Sequence, residues 1–202
     1  MVRKCFFFVF FTLMNPVWSY STPLGQKDLL KEMKAHYARV ASYRGELEMI
    51  KNSVLEKASL EFTPGRTVLR YTFGPQAGEE VIIKRGVLYK EVLGIKMPIP
   101  ISSKVFREAN GDMGPGYVIA RLNEEMERVE NGVPINTKVE DSGDTIVIKS
   151  DYNGKEAYRY RHAEVTIDKK LLLPIRAAYD TVGDRRFNEV YRFFFSDLRY
   201  LR

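Results

Sequence analysis

Short runs of alternating apolar and polar residues, turn residues at regular spacing and two amphipathic helical stretches predict an α+β fold. The expected form is one large curved antiparallel sheet, an incomplete barrel of about ten strands, closed by two or three helices. The composition agrees. Twelve Phe and twelve Tyr accompany one Trp, and flat rings pack well on a pleated surface. With 45% hydrophobic residues in 202, the chain can bury one substantial core.

The N-terminal stretch reads as a signal peptide. Arg3 and Lys4 form a positive start, Cys5 to Met14 is apolar, Pro16 breaks it, and Ser19 and Ser21 supply the small residues of a cleavage site. An uncleaved anchor is the rival, but such a stretch rises only about 15 Å as a helix, half of a bilayer's hydrocarbon core. The expected organisation is therefore a signal peptide over 1–21 and one domain over 22–202, exported and periplasmic. Cys5 is the single cysteine and leaves with the signal, so neither a disulfide nor a thiol nucleophile is expected in the mature chain.

Leu24 to Ser42 carries Leu29, Leu30, Met33, Tyr37, Val40 and Ala41 at helical spacing, with Thr22 or Asp28 as candidate caps and Gly45 turning the chain after its end. Strands are expected at Tyr43 to Lys51, Val54 to Phe62, Thr67 to Phe73, Glu79 to Lys84 and Val87 to Val92. The breaks between them are Asn52-Ser53, Pro64-Gly65, Gly74-Pro75 with Gly78, and Arg85-Gly86, and such tight turns imply antiparallel pairing.

Leu93 to Ser103 contains Pro98 and Pro100, which exclude a central strand while Ile95, Met97, Ile99 and Ile101 stay apolar. It reads as an edge packed over the core, a lid over a cavity, or an ordinary packed loop. A second helix spans Pro115 to Glu130, with Val118, Ile119, Leu122, Met126 and Val129 on one face, Asp112 as cap and Glu124 to Arg128 on the wet side. Strands then resume at Thr137 to Asp141, Thr145 to Asp151, Ala157 to Asp168, Leu173 to Thr181 and Arg186 to Phe195. Their links are Ser142-Gly143-Asp144, Asn153-Gly154, Asp168-Lys169-Lys170 and Val182-Gly183-Asp184.

The formal charge is +6, and loss of Arg3 and Lys4 lowers it by two. Basic residues are interleaved with acids, as in Lys31, Glu32 and Lys34, so no nucleic-acid surface is expected. The remaining surplus is compatible with peripheral contact to a membrane or an anionic headgroup.

The order helix, strands, helix, strands resembles the fold shared by the bacterial lipoprotein carriers LolA and LolB and the sensor RseB. Segments that resemble an uncharacterised exported family of that fold are Tyr43-Arg44-Gly45-Glu46-Leu47, Phe73-Gly74-Pro75-Gln76-Ala77-Gly78-Glu79-Glu80-Val81, and the run from Ala163 to Arg176. The likeness implies a hollow that holds acyl chains. The carrier LolA has a basic residue directly before the proline that opens its third strand, implicated in cargo release. Here Thr63 precedes Pro64 and the nearest basic residue is Arg66, so the resemblance does not extend to that device.

Chemistry-bearing motifs are sparse. His36 and His162 form no HxxxH, HxH or Cys-His cluster, and both read as structural or surface residues, with no metal site or cofactor expected. There is no GxSxG, and Ser53, Ser59 and Ser142 read as strand or turn residues. Gly111 to Gly116, GDMGPG, lacks a phosphate-loop pattern and reads as a flexible hinge. The expected function is a non-enzymatic carrier or sensor for acyl chains of a lipid or lipoprotein. Its candidate lining or lid residues are Phe62, Tyr71, Phe73, Tyr89, Met97, Ile99, Ile101, Tyr117 and Met126. Two alternatives stay open: an envelope protein-interaction module with a filled core, and a hydrolase using a carboxylate pair.

Overall fold

A computed structural model describes residues 25–85, 87–92, 95–100, 103–152, 161–181 and 186–201; of 91, 92, 95–97 and 100 it describes the backbone alone. The signal peptide and the expected turns at Asn153-Gly154 and Val182-Gly183-Asp184 lie outside these residues. The described residues begin with α1 (Gln26–Tyr37) and a meander of β1 (Val40–Lys51), β2 (Val54–Thr63), β3 (Arg66–Phe73), β4 (Glu80–Lys84), β5 (Val87–Val92) and β6 (Ile95–Pro100). Two helices follow, α2 (Lys104–Glu108) and α3 (Pro115–Glu130). A second meander closes the chain: β7 (Ile135–Ser142), β8 (Thr145–Tyr152), β9 (His162–Asp168), β10 (Leu173–Asp180) and β11 (Glu189–Tyr200).

All these strands form one 11-stranded antiparallel sheet in the order β6-β5-β4-β3-β2-β1-β11-β10-β9-β8-β7, and it does not close into a barrel. The two meanders meet at β1 and β11, the longest strands, whose register runs from Val40↔Tyr200 to Lys51↔Glu189. The two edges, β6 and β7, are joined by the segment that carries α2 and α3, so α3 crosses the hollow of the sheet. A sheet this wide coils under its own twist, and the helices occupy the concave side.

Residue alternation sorts the two faces. Tyr43, Leu47 and Met49 of β1, Ala58, Leu60 and Phe62 of β2, Val165 and Ile167 of β9, and Phe193 of β11 are buried in a core shared with Leu29 and Met33 of α1 and Val118, Ile119 and Leu122 of α3. On the convex face, charges pair from strand to strand. Lys149 meets Glu140 at 2.5 Å, Arg176 meets Glu164, Arg192 meets Glu48 at 3.4 Å, and Glu48 meets Lys57 at 2.7 Å. Further along, Arg70 bridges Glu61 and Glu80 at 3.4 and 2.8 Å. Cross-strand opposite charges of this kind suit a solvated face.

The structure corrects several sequence expectations. The first helix ends at Tyr37, not Ser42, and Val40 and Ala41 begin β1. Val40 pairs with Tyr200 at the far end of β11, with a register shift at Ala41, and this pairing overrides helical periodicity; β-branched Val40 is at home in a strand. Gly45 does not turn the chain after a helix: it sits inside β1 at an irregularity in the β11 register. A β-carbon there would strike the Phe194 carbonyl, so only glycine permits this approach. β11 runs on to Tyr200, beyond the expected Phe195, because β1 offers it partners that far. β9 begins at His162, and 153–160 lie outside the described residues. The proline segment is an edge strand, β6, paired only with β5, with Pro98 opposite Tyr89 and Pro100 opposite Val87. Prolines two apart put their missing N–H groups on the same side, which leaves β6 one side to pair on and makes the other a barren rim.

Candidate ligand-binding hollow

The GDMGPG segment is not a flexible hinge but a packed anchor. Asp112 is fully buried and accepts four hydrogen bonds: from the Tyr43 hydroxyl, from the Tyr37 hydroxyl at 2.7 Å, and from the Gly114 and Gly116 amides at 2.7 Å each. Gly114 is the N-cap by its backbone, and the Gly116 amide is one of the donors that a helix start leaves without intrahelical partners. One carboxylate therefore ties α1, β1 and the start of α3 together. A β-carbon at Gly114 would strike the Tyr43 hydroxyl and one at Gly116 the Tyr37 hydroxyl, which explains both glycines. Desolvation raises the Asp112 pKa above its ordinary 3.8, against the downward pull of Tyr43, Tyr37 and the two amides. Both phenols are pushed up by burial and by the Asp112 charge, so they remain donors.

Further along α3, Glu125 makes the second tie. It lies on the side expected to be wet, yet it is 5% exposed and accepts hydrogen bonds from Tyr152 and, at 3.4 Å, from Ser150 of β8. Burial raises its carboxyl pKa, with Tyr152, Arg121 and Ser150 pulling the other way.

Between these two ties, α3 leaves a cavity of about 240 Å³ against the sheet. Leu47, Met49 and Leu69 line its floor, with Phe193, Tyr191 and Tyr179 from β11 and β10. Phe106, Met113, Tyr117 and Val118 form its roof, and Phe106 packs on Tyr117 with ring centroids 5.0 Å apart. Three charged residues complete the lining: Lys51, Glu189 and Arg121. Lys51 and Glu189 face each other in the β1–β11 register, with the Lys51 ammonium 5.7 Å from the Tyr191 ring centre. Arg121 is 8% exposed, with Glu124 at 3.6 Å.

Of the residues expected to line a cavity or lid, Tyr71 and Tyr117 lie in this lining. Phe62 is buried, stacked on Tyr43 at 5.0 Å, and lines a separate groove of about 630 Å³ with Tyr37 of α1 and Ile119 of α3. Met126 lies in a shallow groove between α1 and α3. Phe73 and Ile99 are 54% and 49% exposed, and Tyr89 is half-buried on β5. The Met97 side chain and Ile101 lie outside the description. Sequence reading missed Leu47, Met49, Leu69, Met113, Arg121, Tyr179, Tyr191 and Phe193. Strand alternation marks the β-residues as inward, but the pairing of β1 with β11 that gathers them spans most of the chain. His36 meets the Tyr200 hydroxyl at 2.9 Å, and His162 meets Asp151 at 2.5 Å. No helix among the described residues is long and apolar enough to cross a membrane.

No family model and no curated protein matches the chain. Among solved structures, an uncharacterised conserved protein from Thermus thermophilus overlaps with a TM-score of 0.54 at 6% identity, covering 87% of each chain. Weaker overlaps are found with the lipoprotein LppX of Mycobacterium tuberculosis, TM-score 0.49 at 12% identity over 86% of this chain and 96% of that one. A LolA superfamily protein of Nitrosomonas europaea gives 0.37 at 14% identity, over 89% and 94%. The Thermus overlap shows a shared fold. The open antiparallel sheet with helices in its hollow is the arrangement of elements that the sequence resemblance implied.

Proposed function

We propose that this is an exported envelope protein that binds an acyl chain of a lipid or lipoprotein beneath α3, without a covalent step. The observation that carries the reading is the cavity itself, walled by Leu, Met, Val and aromatic side chains and bounded by a helix tied down at two points. Met and aromatic groups adapt to a flexible chain. Each buried methylene contributes about 0.8 kcal/mol, offset by the cost of ordering the chain.

Native mass spectrometry of the chain purified from a bacterial envelope without detergent, followed by organic extraction, tests this. A stoichiometric acyl-containing adduct is expected, reduced when Met113→Trp fills the roof of the cavity. A bare mass together with no uptake of a fluorescent fatty acid rules the reading out. A second reading has its own observation: Leu29, Leu30, Met33, Val118, Ile119 and Leu122 already fill much of the hollow. On that reading the protein is an interaction module and the bare mass is its expected result.

A further inference from the structure

The convex face pairs its charges from strand to strand, except at one end. Where like charges stand directly opposite each other, an acid is usually at hand. Arg176 and Arg192 face each other but hold Glu164 and Glu48, and Lys149, which faces Lys138, holds Glu140 at 2.5 Å. Arg66 of β3 and Lys84 of β4 also stand directly opposite, and among the described residues neither has a carboxylate partner. Arg85 follows in the turn to β5, its amide donating to the Gly65 carbonyl at 3.0 Å. Its backbone is left-handed, with a φ of 51°, where Gly or Asn is the usual residue. All three side chains are exposed, and like charges set opposite each other work against stability.

This cluster belongs to a wider rim. β1 begins, β2 ends, β3 begins, β4 ends and β11 ends on the same side of the sheet, and these five neighbouring strands span about 19 Å. Arg39 lies in the turn before β1, where its carbonyl accepts the Leu201 amide at 2.7 Å. Arg44 and Arg199 stand there too, matched by Glu61 at 3.8 Å and Asp197 at 2.9 Å. That leaves Arg39, Arg66, Lys84 and Arg85 without an acid, in a chain whose whole net charge is +6. At the opposite end of the first meander, Lys51 faces Glu189 and Lys90 meets Glu79 at 2.9 Å. Apolar surface adjoins the cationic end. Leu201 is 57% exposed, and the groove that holds Phe62 and Ile119 reaches the rim at Pro64 and Leu201.

We propose that this rim docks on an anionic membrane, with Arg39, Arg66, Lys84 and Arg85 among the headgroups and Leu201 at the bilayer interface. Cations draw the protein to such a surface, and an apolar side chain beside them enters the boundary between headgroups and acyl chains. A nucleic acid or an acidic protein would reward the charges but gain little from Leu201 and the apolar groove next to it. The inference goes beyond the acyl-binding reading, because the cavity beneath α3 takes no part in the docking.

Flotation of the purified protein with vesicles of phosphatidylcholine alone, or with about a third phosphatidylglycerol, tests it. Binding to the mixed vesicles and not to phosphatidylcholine is expected, and it should fall in high salt. A cation near such a surface changes affinity about fivefold, so Arg66→Glu, Lys84→Glu and Arg85→Glu together should lower binding at least about hundredfold. Lys31→Glu, Lys138→Glu and Lys170→Glu make the same change of net charge at exposed sites elsewhere and should lower it far less. Leu201→Ser should weaken it severalfold. Should the triple reversal not fold, Arg66→Gln with Lys84→Gln takes its place, with a loss of about twentyfold. Equal binding to both kinds of vesicle, binding to neither at low salt, or an equal loss from the two sets of reversals overturns the proposal. Binding to polyglutamate without binding to vesicles also overturns it and points to an acidic protein. Uptake of a fluorescent fatty acid should be the same in both sets, so failure of the docking and failure of the acyl-binding reading are told apart.

Discussion

On β1, Tyr43, Leu47 and Met49 point into the hollow and are buried, while Arg44, Glu46 and Glu48 alternate with them on the outer face. The inner face is held by apolar contact and by two carboxylates that take up hydrogen bonds from several elements at once. The outer face is held by ion pairs between neighbouring strands, their side chains mostly in contact with water. Charge thus has opposite roles on the two faces. Inside it is scarce, desolvated and fixed by several partners, so its removal strands those partners. Outside it is abundant and screened, and single pairs are expendable.

Loss of the Asp112 carboxylate should produce the widest gap between the faces. Asp112→Ala leaves two tyrosine hydroxyls and two amides without their acceptor, and should cost about 3–5 kcal/mol in urea unfolding. Leu69→Ala, at a fully buried inner position, should cost about 2–5 kcal/mol by lost burial and added cavity. Gly116→Ala forces the Tyr37 hydroxyl aside and should cost about 1–3 kcal/mol, relieved in part by Tyr37→Phe in the same chain.

pH separates the faces by sign. Burial raises the folded-state pKa of Glu125, so its contribution is full below its ordinary 4.5 and declines as pH rises through the raised value. The hydrogen bond from Lys57 lowers the pKa of Glu48 on the outer face, so its contribution is present above the ordinary value and is lost as pH falls. Unfolding midpoints measured across acid pH should therefore flatten in opposite directions for Glu125→Gln and Glu48→Gln. The smallest effect belongs to the outer pair itself: Arg192→Gln should change stability by no more than about 0.2–1 kcal/mol, and less in high salt.

The same contrast explains what the sequence could and could not reveal. Strand alternation and Gly, Pro and Asn turns are local, and they place most strands of the sheet. α3 was legible as an element, since Pro115 opens it and Asn131-Gly132 closes it, but its burial was not. A helix on a protein surface buries one stripe, whereas a helix inside a curved sheet meets walls on several sides, so Arg121 and Glu125 are buried as well as Val118 and Leu122. Asp112 was expected to cap α3, a place Gly114 takes, and the tyrosine partners of its carboxylate come from α1 and β1, far back in the chain. The role of Gly45 depends on β11 lying beside β1, a pairing between the first strand and the last that no local pattern announces.

The most direct test of binding beneath α3 is to find where a bound chain lies. Protein with labelled Leu, Val, Ile and Met methyl groups is titrated with a fatty acid bearing a nitroxide on its chain, and methyl line widths are read by NMR. Binding in the hollow predicts broadening of Leu47, Met49, Leu69 and Val118, which line the cavity, and sharp signals from Ile50 and Ile82 on the alternate positions of β1 and β4. Broadening centred on Ile50 and Ile82, or none at saturating ligand, would contradict it.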